Sequence, residues 1–469
     1  MSHRAPIVWT FAITSIALFM TTLDNLVVTT ALPTMQRDLH ASISGLEWTV
    51  NAYTLTFAVL LMLGAALGDR LGRKRTFLVG LGIFTLGSAA AAMSPSIEWL
   101  IGARALQGVG GAIVTPLTLT ILSDAVPAER RGLALGLWGG ISGLGVAVGP
   151  LVGGAVVQGL SWQWIFWLNV PIGLVAIPLG MTRLRESYGP AARLDVTGVG
   201  LVTASALGLV WGLVRANSNG WTSPEIVGSL VAGVVLLVAF VAWERRSREP
   251  MLPMRLFRNR AFAAANGASL LMFFGMFGSI FLLTQYLQNV QGNSPLHAGL
   301  RMLPWTGMPM IVAPIAGALT DRIGPRPLIV SGLALQATAL GWLAAITAPD
   351  VAYIDLVPPF AMAGVGMALF FAPVASVVLG SVSPSEAGKA SGANNAIREL
   401  GGVFGVAVLA SIFTHQGGYG SADLFTDGIV PALWVGAAVV GVGAVAAGVI
   451  PGRRTATARV GDPVLQGAD

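Results

Sequence analysis

The amino-acid sequence predicts an all-α membrane protein with about fourteen transmembrane helices. Of its 469 residues, 54% are apolar and 10% are charged, whereas a soluble globular protein carries about 25% charged residues. Apolar runs recur along the whole chain, each long enough to cross the roughly 30 Å hydrocarbon core of a bilayer. Sixty glycines, with many alanine, serine and threonine residues, suit helices that approach each other closely in lipid.

The predicted helices follow one another with short connections. They begin near Trp9, Gly45, Phe77, Ile97, Leu133, Trp164, Val196, Ile226, Phe262, Ala298, Leu328, Val357, Asn395 and Gly428. The first helix contains Asp24 and is too long for the apolar part of a cleaved signal peptide. We therefore expect it to remain in the protein as a membrane span.

Basic residues are distributed unevenly between the connecting loops. Alternate loops, including residues 70–75 and 245–260, carry clusters of arginine and lysine. The loops between them hold only Arg37, Arg215 and Arg301. Because basic loops stay in the cytoplasm, the pattern predicts a multi-pass protein of the cell membrane with both termini cytoplasmic. It also accounts for the sequence pI of about 10.3 without a nucleic-acid partner.

Short sequences recur in the same order in the two halves of the chain. LGDRLGRKR at residues 67–75 returns as LTDRIGPRP at 319–327, and GVGGA at 108–112 returns as GVGMA at 364–368. Matches at nearly one offset indicate a duplication, which is a known construction of membrane transporters. The first copy follows the second predicted helix and the second copy follows the tenth, so two extra helices lie between the repeats.

The duplication divides the chain into three predicted parts. Residues 1–192 form a six-helix bundle, residues 193–258 form a two-helix insert with a cytoplasmic linker, and residues 259–469 form a second, pseudo-symmetric six-helix bundle with a short cytoplasmic tail.

Asp24 and Arg104 fall well inside predicted membrane helices. A charged residue at the centre of such a helix costs roughly 2.5–3.5 kcal/mol to insert, so each needs a partner or water and suggests a functional site. We expect the two to pair, with Asp24 binding and releasing a proton; the alternative is a static structural ion pair. Glu399, beside Arg398, is the next candidate for proton coupling, and the alternative there is a solvated helix end.

The repeated charged loop predicts a conformational gate. Gly72 lets the chain turn sharply, and Asp69 can receive Arg73 or the N-terminus of a neighbouring helix. The gating residues predicted here are Asp69, Arg70, Gly72, Arg73, Asp321 and Arg322. The alternative is that these charges only mark the cytoplasmic side. A second gating element is Gly149 with Pro150, because proline kinks a helix and glycine permits tight packing; here the alternative is packing alone.

Aromatic and amide residues are candidates for the wall of a substrate site, since aromatic rings bind cations and apolar groups. The candidates are Trp48, Asn51, Tyr53, Phe166, Asn169, Phe273, Phe274, Gln285, Tyr286 and Trp305, with Met276 and Gln288 beside them. The alternative for each is a place in the core or against lipid.

Several of these segments resemble the major facilitator superfamily, and within it the fourteen-helix drug:proton antiporters. LGDRLGRKR is similar to that family's loop between helices 2 and 3, with Ala65 at the leading glycine position. LDNLVVTTALP at 23–33 is similar to the helix-1 motif, RALQGVGGA at 104–112 to the helix-4 motif, and GLGVAVGPLVGG at 143–154 to the helix-5 motif typical of antiporters. The resemblance implies alternating access, with the Asp69 latch stabilising the outward-open state.

The sequence predicts a proton-coupled exporter of lipophilic, cationic or amphiphilic drugs. Lys74 and Lys389 are the only lysines and neither stands in a P-loop, so the chain contains no ATPase engine. Four histidines and no cysteine give no metal-ligand cluster. We expect no enzyme activity and no cofactor beyond the coupling proton, and a monomer whose partners are membrane lipid and a small lipophilic substrate. The alternative function is a proton-linked symporter or uniporter of a small organic solute.

Overall fold

The computed structural model describes residues 4–127, 131–189, 195–382 and 386–451, and these residues are almost entirely helical, with no β-strand among them. The α-helices are α1 (Arg4–Asp38), α2 (Ile43–Leu71), α3 (Arg73–Ala92), α4 (Ile97–Ala125), α5 (Arg131–Gly159), α6 (Trp164–Trp167), α7 (Asn169–Arg183), α8 (Val196–Asn219), α9 (Pro224–Arg246), α10 (Arg260–Asn289), α11 (Pro295–Thr306), α12 (Met308–Ile323), α13 (Pro325–Ile346), α14 (Tyr353–Gly380), α15 (Ala387–Gln416) and α16 (Ala422–Ala447). A short 3₁₀-helix, Met254–Arg258, precedes α10.

Thirteen helical segments of the described residues are long and apolar enough to cross a membrane. Helices α6 and α7 together make one of these segments, as do α11 and α12, which are separated by Gly307 between two prolines, Pro304 and Pro309. Helix α5, with 29 residues, has the length of a fourteenth span. The all-α class is confirmed, and the count fits the fourteen helices predicted.

Most helices begin several residues before their apolar runs, because polar caps and N-terminal prolines start them. Helix α11 begins at Pro295, where the side chain of Ser294 accepts a hydrogen bond from the backbone of His297. The largest difference between a predicted and an observed helix start is at α15, which begins at Ala387 rather than near Asn395. Glu399 therefore lies within α15 and not at its solvated end.

If each of the thirteen segments and α5 crosses the membrane once, the connections between them alternate between two faces of the molecule. The Asp69 face carries the α2–α3 connection at Gly72 and both described chain ends, and the opposite face carries the connections at His40 and Gly292. On the side of the opposite face, α5 packs directly against α11. A Cβ atom on Gly154 or on Gly299 would overlap the backbone of the partner helix, so glycine permits this close approach.

The helices α8 and α9 pack against each other, and α8 also contacts α2 and α15. Ser205 of α8 donates a hydrogen bond to the carbonyl of Gly233 of α9 (2.8 Å), which joins the two helices within the membrane-spanning region. These contacts place the insert beside helices from both halves of the chain. The division at residues 192 and 258 remains a prediction.

Candidate functional site

A cavity of about 320 Å³ lies between α1, α2 and α4 on one side and α10, α11, α14 and α15 on the other. Its polar and aromatic lining consists of Thr21, Thr22, Asn25, Tyr53, Phe57, Thr115, Phe273, Phe277, Thr306, Phe371, Ser391, Asn394, Asn395, Arg398 and Glu399. The cavity extends toward the Asp69 face, since Leu379 near the end of α14 and Ser391 near the start of α15 belong to its wall.

Arg398 and Glu399 bring an opposite pair of charges to the cavity wall. The guanidinium carbon of Arg398 lies 4.4 Å from the ring centroid of Phe273 and 5.3 Å from that of Phe371. Arg398 also donates a hydrogen bond to Asn395 (3.2 Å). Among the described residues, Arg398 Nε and Glu399 Oε2 have no hydrogen-bond partner although both atoms are buried. Buried charges normally have their hydrogen bonds satisfied, so this wall has capacity for a polar or charged ligand.

A second charged group, buried beside the cavity, joins Asp24 of α1 to Arg104 of α4. Asp24 is 1% exposed and Arg104 is fully buried, and Arg104 Nη1 donates to Asp24 Oδ2 in an ion pair. The other carboxylate oxygen, Asp24 Oδ1, accepts hydrogen bonds from Asn169 (2.8 Å) and from Gln107 (3.1 Å). Gln107 is anchored in turn by donating to Ser88 (2.8 Å). Asp24 is therefore held by three side chains from α4 and α7, and Ser88 of α3 positions one of them.

Arg104 has further partners around its guanidinium group. Its Nε donates to the carbonyl of Thr49 (3.2 Å), and its Nη1 donates to Gln107 (3.0 Å). Its guanidinium carbon lies 4.3 Å from the ring centroid of Tyr53 and 5.8 Å from that of Phe166. The charge of Arg104 is thus shared between a carboxylate, a carbonyl and two rings, so it retains partners if Asp24 becomes neutral.

The predicted gate at the Asp69 face is built around Arg73. Asp69 Oδ1 accepts a hydrogen bond from Arg73 Nε (2.8 Å), and Asp124 at the end of α4 holds Arg73 Nη1. The carbonyl of Asp69 accepts from the backbone N–H of Gly189 (3.1 Å). Arg70 is exposed beside this group. Each of these contacts lies within residues 1–192, and they coexist with a cavity that extends toward the same face.

Glu186 caps the helix that follows the gate. Its carboxylate accepts hydrogen bonds from the backbone N–H groups of Lys74 (2.9 Å) and Arg75 (3.3 Å) at the start of α3. Gly72 has φ +106, and a Cβ atom there would lie 2.8 Å from the Glu186 carboxylate, so both conformation and space favour glycine. Glu186 and Asp124 do not belong to the repeated motif, so the motif did not identify them as gate residues. The available signal was that both are acidic residues in segments close to basic loops.

The second copy of the motif has a similar turn. Gly324 adopts φ +86 between α12 and α13, as Gly72 does between α2 and α3. Arg322 and Arg326 are exposed. The side chain of Asp321 lies outside the described residues, so its predicted gating role stays a prediction.

The Gly149–Pro150 bend lies where α5 meets α1 and α11. A Cβ atom on Gly149 would approach Cβ of Leu26 to 2.9 Å, and the backbone of Pro150 contacts Gly299 of α11. Pro150 lies inside the continuous helix α5, where it cannot donate a backbone hydrogen bond. Gly149 and Pro150 therefore pack against two helices, α1 and α11.

The ten predicted wall residues fall into three groups. Tyr53 and Phe273 line the cavity, and Phe166 and Asn169 belong to the Asp24–Arg104 network. The remaining six do not line this cavity, and they are Trp48, Asn51, Phe274, Gln285, Tyr286 and Trp305.

Most of those six have other partners. Trp48 packs on Trp211 of α8 at 5.9 Å between ring centroids, and Trp305 packs on Phe360 at 6.1 Å. Tyr286 donates to the carbonyl of Ala348 (2.5 Å) and packs on Phe425. Phe274 is buried, and its backbone lies against Gly405 of α15. Gln285 accepts a hydrogen bond from Tyr419. Composition identified aromatic and amide residues but not the helix face on which each lies.

Glu47 and Asn51 form an unexpected buried pair of polar residues near the opposite face. They lie one turn apart on α2, Glu47 is 2% exposed and Asn51 is fully buried. Within the described part of the chain, Glu47 Oε2 and both side-chain polar atoms of Asn51 lack hydrogen-bond partners. Glu47 is therefore a buried carboxylate near the start of α2.

Comparison with known proteins defines the family. The Major Facilitator Superfamily profile matches residues 14–406. The chain belongs to the Major Facilitator Superfamily and is a multi-pass membrane transporter rather than an enzyme.

Its relatives include drug-resistance and export proteins. The tetracenomycin C resistance and export protein of Streptomyces glaucescens is 34% identical over 451 residues, which are 94% of this chain and 84% of that protein. The puromycin resistance protein pur8 of Streptomyces alboniger is 36% identical, over 92% of this chain and 86% of its own. The multidrug resistance protein Stp of Mycobacterium tuberculosis is 37% identical, over 86% and 75%.

Among solved structures, an auto-inhibited POT family peptide transporter matches with a TM-score of 0.71. The match covers 95% of this chain and 96% of that one at 16% sequence identity. At this identity the likeness shows a shared fold and says nothing about the substrate.

Proposed function

We propose that the protein exports lipophilic cationic or amphiphilic compounds from the cytoplasm across the cell membrane in exchange for protons. The observation that carries this proposal is the Asp24–Arg104 ion pair, buried in the membrane-spanning region beside a cavity whose wall contains Glu399. Three relatives that align with most of the chain carry resistance or export in their names, which supports export rather than uptake.

Asp24 is the proposed site of proton exchange. A proton on its carboxylate removes the negative charge opposite Arg104, and the guanidinium group then relies on the Thr49 carbonyl, Gln107 and the ring of Tyr53. Tyr53 lines the cavity and its hydroxyl donates to the carbonyl of Thr21 (3.2 Å), another cavity residue. Protonation can thereby change the position of a ring in the substrate wall.

Glu399 is the proposed contact for a cationic substrate. Asp24 is enclosed by its own partners, whereas Glu399 lines the cavity and has an oxygen without a hydrogen bond among the described residues. A cation there would lie beside the rings of Phe273 and Phe371, which attract positive charge. Arg398 competes with the substrate for these rings, so the cation and Arg398 would exchange partners on binding.

Alternating access requires the cavity to open toward each face in turn. In this arrangement the cavity extends toward the Asp69 face, and the glycine contacts between α5 and α11 hold the opposite side closed. With the termini in the cytoplasm, as the basic loops predict, this is an inward-facing state that would accept substrate from the cell. A proton moving down a 100 mV potential contributes about 2.3 kcal/mol to the outward step.

Transport in inverted membrane vesicles tests this function. Vesicles acidified inside by respiration should accumulate ethidium or puromycin when they contain the protein, and an uncoupler should abolish the accumulation. Vesicles with an empty membrane provide the background. Entry of substrate up to its external concentration, at the same rate with and without the uncoupler, would indicate a uniporter. Loss of substrate driven by internal acid would indicate a symporter, and either result would overturn antiport.

A further inference from the structure

Two adjoining pockets lie beside the insert, separate from the central cavity. The first, of about 300 Å³, lies between α2, α9, α15 and the segment that leads to the 3₁₀-helix. Every residue that lines it is apolar, including Met62 of α2, Phe240 of α9 and Ile397 of α15. An apolar pocket within the membrane-spanning part of the fold is suited to a hydrocarbon chain.

The second pocket, of about 880 Å³, lies at the Asp69 face where α9 ends and α15 begins. Its cationic residues are Arg245, Arg248, Arg255, Arg258 and Lys389. All five are exposed, and the acidic residues of its wall are Glu244 and Glu249. Glu244 Oε2 is engaged by the backbone N–H of Leu252 (2.9 Å), and Arg255 pairs with Glu386 (2.6 Å). The pocket therefore carries an excess of positive charge at the membrane surface.

The two pockets share part of their walls. Met254 and Phe257 of the 3₁₀-helix line both of them. A single molecule can therefore place a negative group among the arginines and an apolar chain between α2, α9 and α15. Neither a soluble anion nor an apolar molecule would fill both compartments.

We propose that this site binds an anionic phospholipid of the cytoplasmic leaflet, with its phosphate among the arginines and one acyl chain in the apolar pocket. Basic pockets between membrane helices on the cytoplasmic side are suited to such headgroups. The five cations would repel a cationic substrate, so the site is distinct from the central cavity in the charge it selects. The proposal depends on the membrane-spanning fold and does not require the exported compound to be known.

Helix α15 lies between the bound lipid and the cavity. Ala393 and Ile397 line the apolar pocket, whereas Asn394 and Arg398 line the cavity. A lipid in this site would contact the same helix that carries the cavity's charged residues. Its acyl chain would also fill the space between α15, α2 and the insert.

Lipid binding to purified protein tests the headgroup half of the site. Native mass spectrometry should detect dioleoyl phosphatidylglycerol bound more tightly than dioleoyl phosphatidylcholine. The double variant Arg248→Gln/Arg258→Gln should weaken phosphatidylglycerol binding on the order of thirtyfold, since each basic residue near the surface contributes about fivefold. The matched control is Arg246→Gln, because Arg246 is exposed beside Arg245 but does not line the pocket; it should keep the wild-type affinity.

A second variant tests the apolar pocket of the proposed lipid site. Ala396→Phe fills the apolar pocket and should weaken phosphatidylglycerol binding while leaving the weak binding of glycerol phosphate unchanged. If that variant fails to fold, Leu237→Trp enters the pocket from α9, where Leu237 is 42% exposed. Equal affinity for the two phospholipids, an unaffected double variant, or full competition by inorganic phosphate at the lipid's concentration would each overturn the proposal.

Discussion

The guanidinium carbon of Arg104 lies 4.3 Å from the ring centroid of Tyr53, and Tyr53 also lines the central cavity. Tyr53 therefore connects the buried ion pair of Arg104 and Asp24 with the space in which a substrate would bind. A change of charge on Asp24 can reach the cavity through this one side chain. The proposed coupling of protonation to substrate binding rests on that contact.

Asp24→Asn should abolish substrate-induced proton release while the protein still reaches the membrane. Asparagine keeps the size of the side chain but cannot exchange a proton, and its NH2 group would replace one of the two oxygens that now accept hydrogen bonds. Proton release from purified protein in weakly buffered solution on addition of ethidium is the measurement. Asp38→Asn is the control, because Asp38 is an exposed carboxylate at the end of the same helix. Undiminished release from Asp24→Asn would move proton coupling to Glu399.

Glu399→Gln should weaken the binding of a permanent cation, ethidium, by about tenfold and leave a neutral substrate unaffected. The carboxylate lies in the cavity wall, where charge-assisted contacts are worth about 1.5–3 kcal/mol. Fluorescence titration gives both affinities. Asp423→Asn, at an exposed position in the first turn of α16, is the matched control. An equal loss for charged and neutral compounds would mean that Glu399 only supports the structure of the wall.

Phe273→Ala and Phe274→Ala should have different effects although the residues are neighbours. Phe273 lines the cavity, so its removal should weaken cation binding by about fivefold, the scale of a partly desolvated cation–π contact. The Phe274 side chain is buried and does not line the cavity, so its removal should lower thermal stability with little change in affinity. Binding titrations and melting curves on both variants make the comparison, and the reverse pattern would mean that the cavity is not the substrate site.

Asp69→Asn should reduce transport by about fivefold without loss of insertion, since a partly exposed ion pair contributes up to about 1 kcal/mol. Asp124→Asn should act similarly, because both carboxylates hold Arg73. The double variant should show less than the product of the two effects, as expected for residues that share one partner. Vesicle transport rates give all three values. Arg326→Ala, an exposed residue between two prolines, is the comparison and should transport at nearly the normal rate.

Gly149→Leu should arrest the conformational cycle, because a side chain there meets Cβ of Leu26 within 2.9 Å. The chain contains no cysteine, so Ser391→Cys can report by maleimide labelling whether the cavity is open toward the Asp69 face. Adding substrate should change the labelling rate of the Ser391→Cys protein but not of the Gly149→Leu combination. Gly159→Leu is the control on the same helix, since a Cβ atom at Gly159 meets nothing within 4 Å. If substrate changes the labelling rate of the Ser391→Cys/Gly149→Leu protein as it does for Ser391→Cys alone, Gly149 serves only helix packing.

The sequence by itself determined the all-α membrane class, the number of spans and the positions of the charges within them. These properties are local, because the cost of placing a charge or an unpaired backbone group in lipid acts on each segment separately. For this reason Asp24 and Arg104 could be identified before their contact was known. Hydropathy alone predicted that α15 begins at its apolar run near Asn395. It therefore could not decide whether Glu399 was exposed.

Only the tertiary structure decided which residues meet. Gln107 and Asn169 hold Asp24, and Asp124 shares Arg73 with Asp69, although each pair is far apart along the chain. The sequence also could not show that Phe273 and Tyr53 line the cavity whereas Phe274 and Trp48 do not. A membrane helix can face lipid on one side and other helices on the opposite side, and both sides are then apolar. Hydropathy therefore does not specify the rotation of the helix about its own axis. That rotation is set by packing between helices distant in sequence, and it determines which side chains line the cavity.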